Sequence, residues 1–296
     1  MLLVTYSTPN HEPGLGVQAD DQVIDVGALA AARSATVPAT LAEVVRTGAA
    51  PAIAALLDEA IPDSAIHPLD TVTLHAPLRP GKIVGVGLNY TEHVAESART
   101  LDTDKNLPQQ PVLFCMPSTA VIGPGEAIEH NADLTSQLDW EVELAVVIGR
   151  TAKRVPAERA LDHVFGYSII NDISARDLRR AGLWFYSKGQ DTYAPFGPGI
   201  RTADDIPDPH VLDLSLRVNG EVKQKSNTRY LLFRIPELIA DISAGVTLEP
   251  GDVIATGTPA GVGASFNPQQ WLRPGDVVEA TVERLGTLRN PVVDVR

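Results

Sequence analysis

The chain has 296 residues, 44% of them hydrophobic and 21% charged, and its 37 acidic and 24 basic residues give a net charge of -13. These proportions are typical of a globular protein with one large core or two domains. The excess negative charge would repel phosphate groups, so the composition disfavours nucleic acids and anionic membranes as partners.

Cysteine content and the N-terminal run predict a cytoplasmic protein. Cys115 is the single cysteine of the chain, which excludes an internal disulfide and is typical of a reducing compartment. The first residues, MLLVTYSTPNHEP, lack the basic region and the apolar run of a secretory signal peptide. No apolar run approaches the roughly 20 residues that span a bilayer, so we expect no membrane partner.

The first part of the chain is predicted to form a small N-terminal α/β domain, residues 1–78. Three short strands are expected first, in the runs LLVTY, GLGVQA and QVIDV, and a helix follows in residues 40–60, interrupted at Pro51. The run HAPLRPGK (75–82) holds two prolines and a glycine, which favours a linker. We therefore place the boundary there and assign residues 79–296 to a second, larger domain.

The second domain is predicted to be rich in β-structure. The strand KIVGVG (82–87) precedes a short helix at 91–100, and the polar loop 101–110 is a candidate lid. Further along, LSLRVNGEVKQ reads as a hairpin with Asn219 and Gly220 in its turn. Two strands that follow Pro-Gly-Asp turns are expected at 248–257 and 272–281. Two helices are expected at 156–164 and 236–243.

The run LDWEVELAVVIG (138–149) places two acidic residues in a segment that otherwise resembles a buried strand. Glu141 and Glu143 are two positions apart, so a strand points both side chains to one face. On a buried face the two carboxylates would raise each other's pKa, and each would carry the free-energy cost of removing its charge from water. Either the strand lies at a sheet edge with both carboxylates in solvent, or a divalent cation removes both penalties.

A third acid favours the cation. In GYSIINDISARDLR (166–179) an apolar strand ends at Asp172, and Ser174 and Asp177 fit a capping box, which predicts a helix directly after the strand. Asp172 would then lie on the rim where functional groups collect. Three carboxylates without a histidine form an all-oxygen ligand set, which suits Mg²⁺, Mn²⁺ or Ca²⁺.

Five motifs in a fixed order resemble the fumarylacetoacetate hydrolase family: KIVGVGLNYTEHVAE, LDWEVELAVVIG, NDISARDL, KGQDTYAPFGP and LEPGDVIATGTPAGVG. The similarity runs from about residue 80 to the end. It implies an α+β, β-rich fold, in which residues 79–296 form a mixed β-roll catalytic domain, and a homodimer. It also implies Mg²⁺ or Mn²⁺ as cofactor, with Ca²⁺ as a third choice, and a small-molecule 2-oxo acid as substrate.

The resemblance also assigns roles at the metal and at a base. It implies that Glu141, Glu143 and Asp172 hold the ion. His93 and Glu96 match the H-x-x-E dyad of the family's acylpyruvase branch, in which Glu96 would orient the imidazole and His93 would deprotonate a water. Spacing alone would also allow this histidine to be a surface or capping residue.

Three further residues gain roles from the resemblance, although each has a plainer interpretation. Arg176 would bind a carboxylate in fork geometry, or it could pair with a nearby acid of the protein. Lys188 would donate to a developing oxyanion, or it could be a solvated surface lysine. Thr258, in TGTPAGVG, would contact substrate, or its glycine-rich run could be only a tight turn.

Two positions depart from the family pattern and bear on the substrate. Met116 stands where many relatives have lysine, and Arg179 stands where many have glutamine. On the expected helix, Arg179 lies two turns from Asp172 and would add a positive charge to the pocket. It would then select dicarboxylates, unless it points outward to Asp177 or Glu158.

These observations lead to one primary hypothesis and two alternatives. The primary one is a metal-dependent hydrolase that cleaves a C–C bond in a 2,4-dioxo acid, of acylpyruvate or fumarylpyruvate type, to pyruvate and a carboxylic acid. The first alternative keeps the site but decarboxylates or tautomerises an unsaturated 2-oxo-diacid, such as 2-hydroxyhepta-2,4-diene-1,7-dioate or oxaloacetate. A remote alternative is a non-catalytic, metal-stabilised binding protein. No nucleophile-elbow, dinucleotide or P-loop string competes with these.

Overall fold

A computed structural model describes residues 1–9, 11–100 and 106–295. Residues 101–105 of the candidate lid, 101–110, therefore lie outside the described residues. Among the helices of the described chain, none combines the length and the apolar character needed to cross a membrane.

The N-terminal segment contains five strands and three helices. The strands are β1 (Leu2–Thr8), β2 (His11–Ala19), β3 (Gln22–Asp25), β4 (Ile66–Pro68) and β5 (Thr73–His75). The helices are α1 (Val26–Ala32), α2 (Leu41–Thr47) and α3 (Ala50–Leu57). The helical run therefore breaks at Gly48, which ends α2 in a left-handed conformation, and Pro51 lies in the first turn of α3.

The rest of the chain contributes most of the β-structure. Its strands are β6 (Ile83–Gly87), β7 (Val112–Met116), β8 (Val121–Ile122), β9 (Ile128–His130), β10 (Leu138–Asp139), β11 (Val142–Ile148), β12 (Val164–Asn171), β13 (Ser174–Ala175), β14 (Ala194–Thr202), β15 (Asp213–Val218), β16 (Glu221–Asn227), β17 (Val253–Ala255), β18 (Val277–Val282) and β19 (Gly286–Asp294). Its helices are α4 (Thr91–Thr100), α5 (Phe185–Lys188) and α6 (Ile235–Gly245). The predicted Asn219–Gly220 hairpin joins β15 to β16, as expected.

Two mixed sheets contain most of these strands, and β10 and β13 form a separate two-stranded sheet. The larger runs β4-β3-β2-β1-β14-β12-β11-β17-β6-β7, and the smaller runs β16-β15-β18-β19-β9. Most neighbouring strands are antiparallel, whereas β17 and β6, β14 and β8, and β19 and β9 pair in parallel. The α+β, β-rich architecture predicted from the sequence is confirmed.

The central position of β11 explains why its sequence is so apolar. It lies between β12 and β17, and all seven of its residues are buried. Val142, Leu144 and Val146 pack into the core between the two sheets, while Ala145 and Val147 face the core beneath the N-terminal helices. The alternative of an edge strand with both glutamates in solvent is therefore wrong.

The larger sheet runs across the predicted domain boundary. Leu2 and Leu3 of β1 pair with Arg201 and Ile200 of β14, so the N-terminal strands extend the sheet that carries β11. The division into residues 1–78 and 79–296 stays a prediction.

The prediction of a helix directly after Asp172 is wrong. Residues 174–175 form β13, which pairs with β10, and 176–178 make a single 3₁₀ turn. The Ser174 hydroxyl donates to the carbonyl of Asp172 instead of capping a helix, and the Asp177 carboxylate accepts from the Thr135 hydroxyl. The helix expected at 156–164 is also a 3₁₀ helix, at 157–163, whereas the one expected at 236–243 is α6.

Candidate active site

One pocket collects almost all the residues singled out in the sequence. It lies between the ends of β6, β11 and β12 on one side and α4 and α5 on the other, and the space in it, including the open solvent at its mouth, is about 460 Å³. Every predicted site residue except Glu96 lines it.

The three acids meet because of the pairing of β11 with β12. Val142 pairs with Asn171, which places Glu141 beside Asp172, and the backbone N–H of Asp172 donates to the carbonyl of Glu141 over 2.9 Å. Glu143 follows on the same face of β11. Carboxylate oxygens of Glu141, Glu143 and Asp172 all lie within 4.8 Å of one another, and all three side chains are buried.

Burial and charge shift the pKa values of these acids in opposite directions. Burial, together with the charges of Asp172 and Glu141, raises the pKa of Glu143 well above its usual value. Burial also raises the pKa of Asp172 to about 7, against the opposing charge of Lys188. For Glu141 the effect of burial is overcome by Lys188 and Arg176, which lower its pKa to about 2. The cluster thus holds more negative charge than its own cations neutralise.

The cluster has the properties of a divalent metal site. The Oδ1 atom of Asp172 is buried and has no hydrogen-bond partner among the described residues, although a buried carboxylate oxygen normally has one. A cation held by Glu141, Glu143 and Asp172 would satisfy this oxygen and relieve the repulsion that raises the pKa of Glu143. An all-oxygen donor set suits Mg²⁺ or Mn²⁺.

Lys188 is a buried member of this cluster and not a surface lysine. Its ammonium donates to Glu141 over 2.8 Å, to Asp172 over 2.5 Å and to the Ser174 hydroxyl over 2.9 Å. These three contacts use the three N–H bonds of the group. Burial would lower the pKa of Lys188, but the charges of Asp172 and Glu141 raise it. The lysine therefore stays charged, and its role as an oxyanion donor stays a prediction.

Arg176 lies in the same wall of the pocket, although not on the helix expected there. Its guanidinium donates to Asp139 over 2.8 Å and to Glu141 over 2.6 Å. Asp139 is fully buried and also accepts the backbone N–H of Gly263. The Arg176 guanidinium therefore binds two carboxylates of the protein itself. Its contact with a substrate carboxylate stays a prediction.

The predicted dyad is assembled on α4. His93 Nδ1 lies 3.2 Å from Glu96 Oε1, and its Nε2 lies 3.3 Å from the hydroxyl of Ser97. His93 and Ser97 line the pocket, whereas Glu96 lies behind them and accepts the backbone N–H of Gly261. Burial acts to raise the pKa of Glu96, but the hydrogen bonds from His93 and Gly261 lower it, so the carboxylate stays ionised. Glu96 thus holds Nδ1, and Nε2 is the nitrogen on the pocket side.

Thr258 lies in the glycine-rich segment that closes the pocket beside Glu143. Its hydroxyl donates to the carbonyl of Val142 over 3.0 Å and accepts the side-chain amide of Gln224 over 2.8 Å. In the same segment the backbone N–H of Gly257 donates to Glu143 over 2.8 Å. The segment therefore holds Glu143, one of the candidate metal ligands, in place, and contact of Thr258 with substrate stays a prediction.

Several pocket residues were missed by sequence reasoning. Ser97 follows His93 by four positions, so helical spacing could have found it. Phe114 and Trp184 line the pocket from β7 and from the segment before α5, and no local pattern connects them to the acids. Met116, noted as a departure from the family pattern, is fully buried in the core beneath the N-terminal helices.

Comparison with known proteins agrees with the motifs. The family model described as fumarylacetoacetate (FAA) hydrolase C-terminal matches residues 82–293. Oxaloacetate tautomerase YisK of Bacillus subtilis is 44% identical over 232 residues, covering 77% of this chain and 76% of that protein. The mitochondrial oxaloacetate tautomerase FAHD2A of Bos taurus is 39% identical, covering 99% of this chain and 92% of that protein.

Solved structures extend the similarity to the whole chain. A 5-carboxymethyl-2-hydroxymuconate delta-isomerase from Mycobacterium smegmatis has a TM-score of 0.76 at 36% identity, with all of both chains covered. A maleylpyruvate hydrolase from Sphingobium sp. SYK-6, solved with manganese(II) and pyruvate, has a TM-score of 0.80 at 34% identity, again with all of both chains covered. The chain belongs to the fumarylacetoacetate hydrolase family.

Proposed function

We propose that this protein is a divalent-metal-dependent tautomerase that interconverts the enol and keto forms of a 2-oxo-dicarboxylate of the oxaloacetate type. Relatives named as oxaloacetate tautomerases, at 44% and 39% identity, and a neighbouring structure named as an isomerase support this reaction over C–C bond hydrolysis. The primary hypothesis from the sequence therefore gives way to its first alternative.

The arrangement of the dyad carries the proposal. Tautomerisation needs one group that takes a proton from carbon and returns it to oxygen. Among the described residues that line the pocket, His93 is the one imidazole, and Glu96 holds its Nδ1 while Nε2 faces the pocket. In the keto-to-enol direction, Nε2 accepts the C3 proton, the C–H electron pair forms the C2–C3 double bond, and the proton is then delivered to the 2-oxygen. No bond between carbon atoms breaks, and no water enters.

The metal and the cations of the pocket suit the charge of the substrate. When bound by the three acids, the cation would supply Lewis-acid stabilisation to a 2-oxo acid group. Lys188 keeps two of those acids paired, and Arg176 fixes Glu141 from the other side. Arg179 also lines the pocket, which favours a substrate with a second carboxylate.

Hydrolysis of an acylpyruvate is the second candidate, because a neighbouring structure is named as a maleylpyruvate hydrolase. That reaction needs His93 to activate a water and a separate donor for the oxyanion. Lys188 was assigned this donor role, but each of its N–H bonds already reaches a group of the protein. The non-catalytic binding protein receives less support, since binding alone requires no buried histidine–glutamate dyad.

The test is a direct comparison of the reactions. The enol of oxaloacetate is mixed with the protein and Mg²⁺ or Mn²⁺, and the keto form is detected with malate dehydrogenase. Parallel samples with oxaloacetate or with an acylpyruvate are assayed for pyruvate above a control with the metal ion alone, because decarboxylation releases pyruvate from the first substrate and hydrolysis releases it from the second. We expect the enol to disappear well above the uncatalysed rate without pyruvate. Pyruvate release at a rate that matches or exceeds tautomerisation would contradict the proposal.

A homodimer in the cytoplasm, with a small 2-oxo acid as ligand and with neither nucleic acid nor membrane as partner, completes the proposal. Light scattering after size exclusion measures the assembly state, and a monomer at micromolar concentration would contradict the dimer.

A further inference from the structure

Two aromatic side chains form a wall of the pocket that no role assigned so far explains. The rings of Phe114 and Trp184 lie 5.3 Å apart, centre to centre, in an edge-to-face arrangement at 74°. Both are half-buried, and both line the pocket together with the dyad and the three acids. We refer to this pair as the aromatic wall.

Two glycines of β6 make space for the aromatic wall. A Cβ atom at Gly87 would lie 1.9 Å from the indole of Trp184, and one at Gly85 would lie 2.1 Å from the ring of Phe114. The two glycines are two positions apart on a strand, so they share one face. A strand interior normally disfavours glycine, and a close approach by another group is one reason to find it there. Each ring lies directly over its glycine.

A tight turn holds Trp184 from the other side. The backbone N–H of Leu183 donates to the carbonyl of Arg180 over 2.9 Å, and between them Ala181 and Gly182 have φ values of 51° and 77°. Two consecutive positive φ values are the signature of a type I′ hairpin turn. The next residues outward are Arg179 and Trp184, and the Arg179 guanidinium lies 5.5 Å from the centre of the Trp184 ring. The indole is thus fixed between the β6 glycine and the arginine.

The strand registers place Trp184 across the pocket from Glu143, whereas the centre of the Phe114 ring lies 5.1 Å from the Lys188 ammonium. Ala145 of β11 pairs with Ala255 of β17, which pairs with Gly85 of β6. Two residues further along, beyond the end of β17, Glu143 and Gly87 stand at the same level with Gly257 between them, whose backbone N–H donates to Glu143. Two strand spacings are roughly 10 Å, and the indole fills part of this width. What remains between the acids and the indole is the room for substrate.

We propose that Trp184 is a specificity-determining residue that limits the length of the substrate beyond its 2-oxo acid end. If the acids hold that end, as the proposed function requires, the remaining carbons extend toward the indole. A four-carbon 2-oxo-diacid held in this way points its second carboxylate toward Arg179, which lies beside the ring and also lines the pocket. Longer chains meet the aromatic wall.

The experiment measures length preference with and without the indole. The substrates are the enol of oxaloacetate and a seven-carbon 2-hydroxydienedioate, and the variants are Trp184→Ala and Leu183→Ala. Leu183 lies on the same turn but is 71% exposed, so its variant controls for changes in the turn. We expect Trp184→Ala to raise the ratio of kcat/KM for the long substrate over the short one by about tenfold or more, the scale of a change in pocket size. Leu183→Ala should leave the ratio unchanged.

Binding measurements separate this inference from the proposed function. Calorimetry with Mn²⁺ present compares 2-oxoglutarate with 2-oxoadipate, which differ by one methylene, in the wild type and in Trp184→Ala. The variant should favour the longer acid relative to the wild type even if the protein tautomerises neither substrate, in which case only the proposed function fails. Should Trp184→Ala not fold, Trp184→Phe is expected to shift the ratio in the same direction by less. A folded variant with an unchanged length ratio in both assays would overturn the role of Trp184.

Discussion

The two sides of the pocket are built in different ways. On the sheet side, Glu141, Glu143 and Asp172 are fixed by the pairing of a fully buried strand with its neighbours, and the Lys188 ammonium contacts two of them directly. On the helix side, both residues of the dyad belong to one helix, and the Glu96 carboxylate accepts the backbone N–H of Gly261 on both of its oxygens.

This difference indicates that metal binding and proton transfer are separable. Charges on the sheet side are strongly coupled, because burial leaves little solvent between them. The helix side contributes one base and little charge. Changes on the sheet side should therefore abolish metal binding and turnover together, whereas changes on the helix side should alter turnover alone.

The largest effect is expected from Glu143→Ala. Loss of a ligand should abolish Mn²⁺ binding in calorimetry, and turnover should fall by more than the 10–100-fold typical of partners outside the ligand set. Chelation of the wild type should likewise remove activity, and Mg²⁺ or Mn²⁺ should restore it. Glu158→Ala, at an exposed glutamate, is the matched control. Unchanged Mn²⁺ affinity in Glu143→Ala would refute the ligand assignment.

The next effect is expected from His93→Ala. Loss of the general base should cost tautomerisation about 10²-fold or more, while the affinity for Mn²⁺ stays at the wild-type value. Decarboxylation of a metal-bound 2-oxo acid can proceed on the Lewis acid alone, so near-normal turnover in this variant would favour a decarboxylase. A parallel loss of Mn²⁺ affinity would show that the two sides are not separable.

A smaller effect, confined to one class of substrate, is expected from Arg179→Gln, which restores the residue common among relatives. The kcat/KM for a 2-oxo-diacid should fall by a factor that corresponds to about 1.5–3 kcal/mol of transition-state stabilisation, the scale of a lost charged hydrogen bond. The kcat/KM for a monoacid should stay level. Equal effects on both acids, or none on either, would exclude Arg179 as the second carboxylate site.

The same contrast explains what the sequence could predict. The two glutamates of the sheet side follow from period-two alternation in an apolar strand, which is a local pattern, whereas the dyad came from the family resemblance, because helical spacing alone left other roles for His93 open. The prediction of a helix after Asp172 was wrong because the Ser174 hydroxyl donates to the carbonyl of Asp172 and accepts from the ammonium of Lys188. Lys188 lies fourteen residues away in sequence, so no local pattern shows this contact. The place of Trp184 over Gly87 depends on the fold of distant segments, so no local rule contains it.

The smallest effect is expected from Glu96→Gln, and it depends on pH. The pKa of Glu96 in the folded protein lies below its usual value of 4.5. A depressed carboxylate pKa contributes stability that is complete above the usual value and is lost as the pH falls through the folded-state pKa.

Near neutral pH the unfolding temperature of the variant should therefore lie a few degrees below that of the wild type. For a chain of this size, such a shift corresponds to about 1 kcal/mol in the free energy of unfolding. Thermal unfolding followed by circular dichroism from about pH 6 down to pH 3 should show this difference shrinking, because the wild type loses the contribution that the variant lacks. A gap that stays constant over that range would mean that the ionised form of Glu96 does not stabilise the helix side of the pocket. As a control, Glu92→Gln changes an exposed glutamate one turn earlier on the same helix. It should change neither the unfolding temperature near neutral pH nor the dependence of that temperature on pH.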